Sequence, residues 1–130
     1  MTRKTKIFTM GLAVSLAVGI AAAWAQEGIK RTDLQTHDLS APGREVVQQM
    51  VELQPGVVVG KHTHPGEEIS VVLEGELVLQ VAGKPDVTVK AGQPFFVPAG
   101  VVHGVKAGST TKLLATYVVE KGKPLRTAAQ

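Results

Sequence analysis

The sequence predicts an all-β protein, a small antiparallel sandwich or barrel. Two observations carry this. After residue 45, short β-branched or alternating runs recur every 8–12 residues with Gly/Pro turns between them, the pattern of short paired strands. No segment beyond that point repeats its apolar residues at the 3.6-residue period of an amphipathic helix.

In chain order, Val46-Val47, Met50, Val51 and Leu53 alternate loosely with polar residues. Periodicity alone admits a helical turn here, but the following Pro55-Gly56 turn and the strands beyond it favour a strand. Val57-Val58-Val59 leads into His62 and His64, and Ile69 to Leu73 is a β-branched run closed by Glu74-Gly75. Glu76 to Val81 alternates and is turned by Ala82-Gly83-Lys84-Pro85; Val87-Thr88-Val89 closes at Ala91-Gly92. Phe95-Phe96-Val97 runs into Pro98-Ala99-Gly100, and Leu113 to Val119 is the last run. Adjacent strand residues point to opposite faces, so one of Phe95 and Phe96 packs inside and the other faces out. Residues 26–44 are polar and broken by Pro42-Gly43, which reads as an extended arm or loop with at most one short strand. Residues 121–130 read as a solvated tail.

The first residues have a different texture. A basic start with Arg3, Lys4 and Lys6 precedes an apolar run from Ile7 to Ala23, which ends at Ala23-Trp24-Ala25. A basic segment, an apolar segment and an A-x-A site predict a secretory signal peptide over residues 1–25, and so a periplasmic or secreted protein. The alternative is an uncleaved anchor, since the run is near the ~17-residue minimum for a spanning helix. Cleavage after Ala25 leaves a chain from Gln26 to Gln130, enough for one small core. The three basic residues of the leader account for the whole formal charge of +3. Without them 11 basic residues face 11 acidic ones, so no nucleic-acid or membrane-surface patch is expected. There are no cysteines, which excludes disulfide staples, a thiolate nucleophile and a thiolate metal site.

Chemistry concentrates in His62, His64, Glu68 and His103, which include three of the chain's four histidines. Imidazole nitrogen and carboxylate oxygen suit a first-row divalent metal. Residues two apart on a strand share a face, so His62 and His64 project together. Pro65-Gly66 is expected to turn the chain into a hairpin whose returning strand brings a carboxylate beside them. Spacing alone does not choose between Glu67 and Glu68. His103 follows the Pro98–Gly100 turn, which would position it. Three imidazoles and one carboxylate leave an octahedral ion two open positions, the mark of a catalytic rather than a closed structural site. Among other residues, Ser70 could support the site, Tyr117 reads as packing, and His37 reads as solvent-exposed. No Ser-His-Asp order, P-loop or dinucleotide turn is present.

These residues resemble the two cupin motifs. Gly56, His62, His64, Glu68 and Gly75 satisfy G-x5-H-x-H-x3,4-E-x6-G, and Gly92, Pro98, Gly100 and His103 satisfy G-x5-P-x-G-x2-H-x3-N up to its last residue. There Ala107 stands in place of Asn, at a position that does not ligate the metal in that family. The resemblance implies a small antiparallel β-barrel of jelly-roll type over residues 45–120, often paired as a homodimer. It also implies Glu68 rather than Glu67 in the ligand set. One divalent transition metal per chain (Fe, Mn, Ni, Cu or Zn) would be held by His62, His64, Glu68 and His103, with Glu68 also available as a proton acceptor. The family covers many activities, and function must be argued from the site. Few other acid/base groups accompany the ligands, which suits chemistry done largely by the metal. The leading expectation is an exported oxygenase resembling quercetin-dioxygenase-like cupins, acting on a small chelating substrate. A metal-dependent isomerase, lyase or decarboxylase, and a non-catalytic envelope protein binding metal or a small ligand, are the alternatives.

Overall fold

The computed structural model describes residues 27–130; the expected signal peptide lies outside them. The described residues form ten strands. These are β1 (Ile29–Asp38), β2 (Arg44–Leu53), β3 (Val58–Thr63), β4 (Gly66–Glu74), β5 (Glu76–Val81), β6 (Val87–Lys90), β7 (Pro94–Val97), β8 (His103–Ala107), β9 (Thr111–Glu120) and β10 (Thr127–Ala128). They pair antiparallel in two five-stranded sheets, ordered β1-β2-β9-β4-β7 and β10-β3-β8-β5-β6. The alternation of short apolar runs predicts this all-β architecture, and the cupin resemblance implies its jelly-roll type.

The core lies between the sheets, and strand parity selects it. Along β9, Leu113, Ala115, Tyr117 and Val119 are buried while the residues between them are only partly so. Val72 and Val97 from the same sheet meet Val59, Leu77, Leu79, Val89 and Val105 from the other. Phe95 takes the inner face of β7 and Phe96 the outer. Burial of such side chains contributes roughly 1.5–3 kcal/mol each. This is the main stabilising term in a protein without disulfides.

Three sequence expectations change. Residues 29–38 are not an arm with a short strand but a full ten-residue edge strand paired along β2. Its residues are exposed apart from Ile29, so the apolar alternation that marks a buried strand is missing. The chain end is not a free tail, because β10 pairs with β3 and the Ala129 amide donates to the Lys61 carbonyl (3.0 Å). Nor does Pro65-Gly66 make a hairpin: β3 pairs with β8 and β10, whereas β4 pairs with β7 and β9. The chain instead crosses from one sheet to the other. The Glu120 amide (3.0 Å) and the Arg44 guanidinium (3.3 Å) donate to the Pro65 carbonyl, and the Gly100 amide donates to that of His64 (3.1 Å). Gly66 is required at this crossing, since a Cβ there would lie 1.9 Å from the Val118 carbonyl oxygen.

Candidate metal centre

The crossing places four side chains at one end of the inter-sheet space. His62 is the penultimate residue of β3, where the register with β8 slips between Val59 and His62. The slip lets both Val59 and His62 face inward although they are three residues apart. Such an irregularity re-aims a side chain, a common use of β-bulges. His103 opens β8 directly opposite His62. His64 stands in the crossing, and Glu68 points in from β4, opposite Tyr117 on β9. The choice between the adjacent glutamates is thus resolved by parity, with Glu68 buried on the inner face and Glu67 outside that row.

All four groups are buried, and one potential ligand atom from each lies within 4.8 Å of the others. The three imidazoles are oriented alike by the backbone. Nδ1 of His62 contacts the Gly60 carbonyl at 2.7 Å, Nδ1 of His64 that of Leu125 at 2.6 Å, and Nδ1 of His103 that of Val101 at 2.9 Å. A carbonyl only accepts, so each Nδ1 carries a proton; Nε2 of His62 and of His64 then keeps a lone pair, and that of His103 gains one when it gives up the proton it donates to Glu68. The Glu68 carboxylate is held the same way: Ser70 Oγ donates to Oε1 at 2.7 Å, while Oε2 lies 3.0 Å from His103 Nε2 and 3.2 Å from His64 Nε2. Nε2 of His64 is a buried polar atom without a hydrogen-bond partner. A buried polar atom of this kind calls for a bound partner. Three lone pairs and one carboxylate oxygen converging on one point fit a single divalent ion, and the Nδ1 contacts are the outer-shell bonds that metal-binding histidines ordinarily make.

The electrostatics favour a cation. Burial lowers His62 to about 4, its contact with Gly60 opposing that only in part, so it is neutral near pH 7. Burial raises Glu68, but hydrogen bonds from His103 and Ser70, with the adjacent His64 imidazole, outweigh it and hold the carboxyl at about 2. Burial also lowers His103, but the hydrogen bond to Glu68 outweighs it and the net direction is up. Without an ion, this imidazole and the carboxylate share a proton-stabilised pair that a divalent cation would displace.

The four ligands form one wall of a cavity of about 270 Å³. Apolar walls come from Val51, Leu53, Phe95 and Leu113. Tyr117 packs its ring 4.6 Å from that of His64, and burial, reinforced by the Glu68 charge, pushes its phenol well up, so it is a neutral wall. Arg31, Gln49, Leu125 and Arg126 also line the space, and sequence reasoning missed all four. Gln49 had a signal, since it falls on the inward parity of β2 with Val51. Leu125 acts through its backbone carbonyl, which leaves no mark in a side-chain pattern. His37 is exposed and remote, as expected.

The Cupin domain model matches residues 49–120, more than half of the chain. This chain belongs to the cupin family. Over 63 residues, 48% of this chain and 34% of the relative, it is 40% identical to the HTH-type transcriptional regulator PuuR of Escherichia coli (strain K12). Over 64 residues, 48% of this chain and 52% of the relative, it is 42% identical to the oxalate-binding protein of Thermotoga maritima. This cupin therefore spans only a third to a half of the length of these curated relatives. Its fold also matches a recombinant oxalate oxidase in complex with glycolate, with a TM-score of 0.62 at 23% identity over 81% of this chain and 57% of that one.

Proposed function

We propose that this cupin is an exported, metal-dependent oxygenase acting on a small chelating organic substrate. One observation carries the reading: three oriented imidazole nitrogens and Glu68 Oε2 converge on one side only, with the other side open to a cavity of substrate size. An Fe, Mn, Ni, Cu or Zn ion held there would act as a Lewis acid on an oxygen of the substrate and, if redox-active, would support reaction with dioxygen. The chain's own residues supply the rest. Glu68 is ionised and beside the open positions, so it can accept a proton from a bound hydroxyl. Val51, Leu53, Phe95 and Leu113 limit water around the substrate, and Tyr117 walls off the His64 side. No lysine, aspartate or second glutamate lines the cavity among the described residues, which limits acid/base chemistry to the ligand set.

A second reading is supported by the similarity to an oxalate-binding protein: capture of a small carboxylate in the cell envelope without turnover. One experiment separates the two. The chain is loaded in turn with Fe, Mn, Ni, Cu and Zn, and oxygen uptake is followed with chelating acids, phenols and diketones. Uptake with a redox-active metal, lost in His62→Ala, supports the oxygenase. Ligand bound and recovered unchanged with every metal sinks it in favour of capture, while turnover that persists without dioxygen or with Zn points to a lyase or isomerase. Export is part of the proposal, and a mature chain in the envelope beginning at Gln26 is its expected mass-spectrometric signature. Pairing as a homodimer is proposed through the outer face of β4 and β7. Ile69 and Phe96 are neighbours across the strands there and are 49% and 56% exposed.

A further inference from the structure

Two guanidinium groups share the cavity with the four ligands, and they come from unrelated parts of the chain. Arg31 belongs to the edge strand β1 and lies opposite Val51, on the row that points toward the cavity. Arg126 immediately precedes β10, on the edge of the other sheet. The two sheet edges therefore bring two positive charges to one cavity. Among the described residues neither has a carboxylate within ion-pair distance, in contrast to Lys30, Lys112, Lys121 and Lys123 on the outer surface. Arg126 is half-buried, and its one hydrogen bond to protein is a 3.5 Å contact with the Gly60 carbonyl. Asp33, the acidic residue next along the inner row of β1, is engaged at 2.7 Å by the Gln49 amide. Glu68 is the only carboxylate lining the cavity among the described residues, and it is committed to the ligand set. A half-buried guanidinium without a counter-charge is costly unless something supplies one. The fork of an arginine matches a carboxylate in shape as well as in charge.

We infer that Arg126, assisted by Arg31, binds the carboxylate of the molecule held at the metal centre and restricts the substrate class to small organic acids. The inference rests on the proposed metal-dependent reading and narrows it. The two guanidinium groups favour a carboxylate over a neutral phenol or sugar of the same size. The C-terminal segment thus contributes twice, with the Leu125 carbonyl orienting His64 and the adjacent Arg126 reading the ligand.

The test uses the full chain loaded with Co(II), whose absorption bands report the ligand set, and two probes titrated by calorimetry. Oxalate keeps oxygen atoms free for a guanidinium after chelation, and acetylacetone keeps none. Arg126→Gln is expected to weaken oxalate about 10- to 100-fold, the loss of one charge-assisted hydrogen-bond pair. It leaves acetylacetone within about 3-fold and the Co(II) bands unmoved, and Arg126→Lys falls between. Arg31→Gln weakens oxalate by less, because that residue is exposed. Equal loss of both probes, unchanged oxalate affinity, or no oxalate binding to the wild-type chain would overturn the inference. Absence of Co(II) binding refutes the metal reading separately. Oxalate titrated into the metal-free chain then decides for Arg126 if its binding is lost in Arg126→Gln, and against it if that binding is unchanged or never present.

Discussion

Ending the chain after Lys123 should weaken metal binding although it removes none of the four ligands. Residues 124–130 supply the Leu125 carbonyl that holds His64 Nδ1 at 2.6 Å. They also supply the β10 ladder on Thr63 and His62, and the Ala129 amide bond to Lys61. Without the Leu125 acceptor, His64 is free to rotate or change tautomer, and its Nε2 lone pair no longer points at the other ligands. Losing an outer-shell partner of this kind typically costs 10- to 100-fold in metal affinity. The removed Arg126 is a cation beside the site, so its loss favours a metal ion and works against the effect. The net fall is therefore expected toward the lower end of that range, about 10-fold. The metal-free protein should lose only about 1–3 kcal/mol, for a few edge hydrogen bonds at roughly 1 kcal/mol each and one half-buried leucine. Competition with a chromophoric chelator gives the affinity, and thermal unfolding of the metal-free chain gives the stability. Leu125→Ala is the control, because it keeps the carbonyl and should bind metal within about 3-fold of the parent. A truncated chain with parental affinity would refute the argument that this carbonyl orients His64.

Ser70→Ala removes the donor on Glu68 Oε1 and should cost about 1.5–3 kcal/mol, the usual value of a hydrogen bond to a charged group, read in urea unfolding of the metal-free protein. Gly66→Ala forces a Cβ against the Val118 carbonyl and should destabilise by at least about 1–3 kcal/mol in the same assay. It should also reduce metal affinity, because Glu68 lies two residues along the displaced strand. The metal-free protein should lose stability in two steps as pH falls. His62 has a folded pKa below its unfolded one, so the unfolded chain binds more protons and stability drops from about 6.5 toward about 4. Glu68, depressed from 4.5 to about 2, stabilises above 4.5, and that contribution disappears as pH falls toward 2. His103 is raised, so its contribution is full below 6.5 and fades as pH rises through its folded value, opposing His62 at the upper end. Unfolding free energy of the metal-free chain between pH 3 and 8 checks this, and stability that rises on acidification through pH 6 to 4 would contradict it.

Local pattern alone determined much of this protein. Alternation and turn residues identify the strands between residues 44 and 120 except β8, because which face a side chain takes depends only on its neighbours in the same strand. The same parity places Phe95 inside and Phe96 outside. His62, His64 and His103 were legible because side-chain chemistry and spacing are written in the chain, Glu68 was chosen over Glu67 by the motif resemblance, and the fold buries the four together. Which sheet a strand joins is not local, since it is decided by long-range pairing. Hence β3 and β4, adjacent in sequence and separated by a Pro-Gly that suggests a hairpin, lie in opposite sheets, and Glu68 reaches the histidines across the interior. The exposed edge strand β1 and the paired chain end escaped notice because edge strands carry little apolar alternation. Only the tertiary structure brought Arg31 and Arg126 to one cavity and the Leu125 carbonyl to His64. Contacts made by sheet edges far apart in sequence, or by the backbone itself, have no signature in the order of side chains.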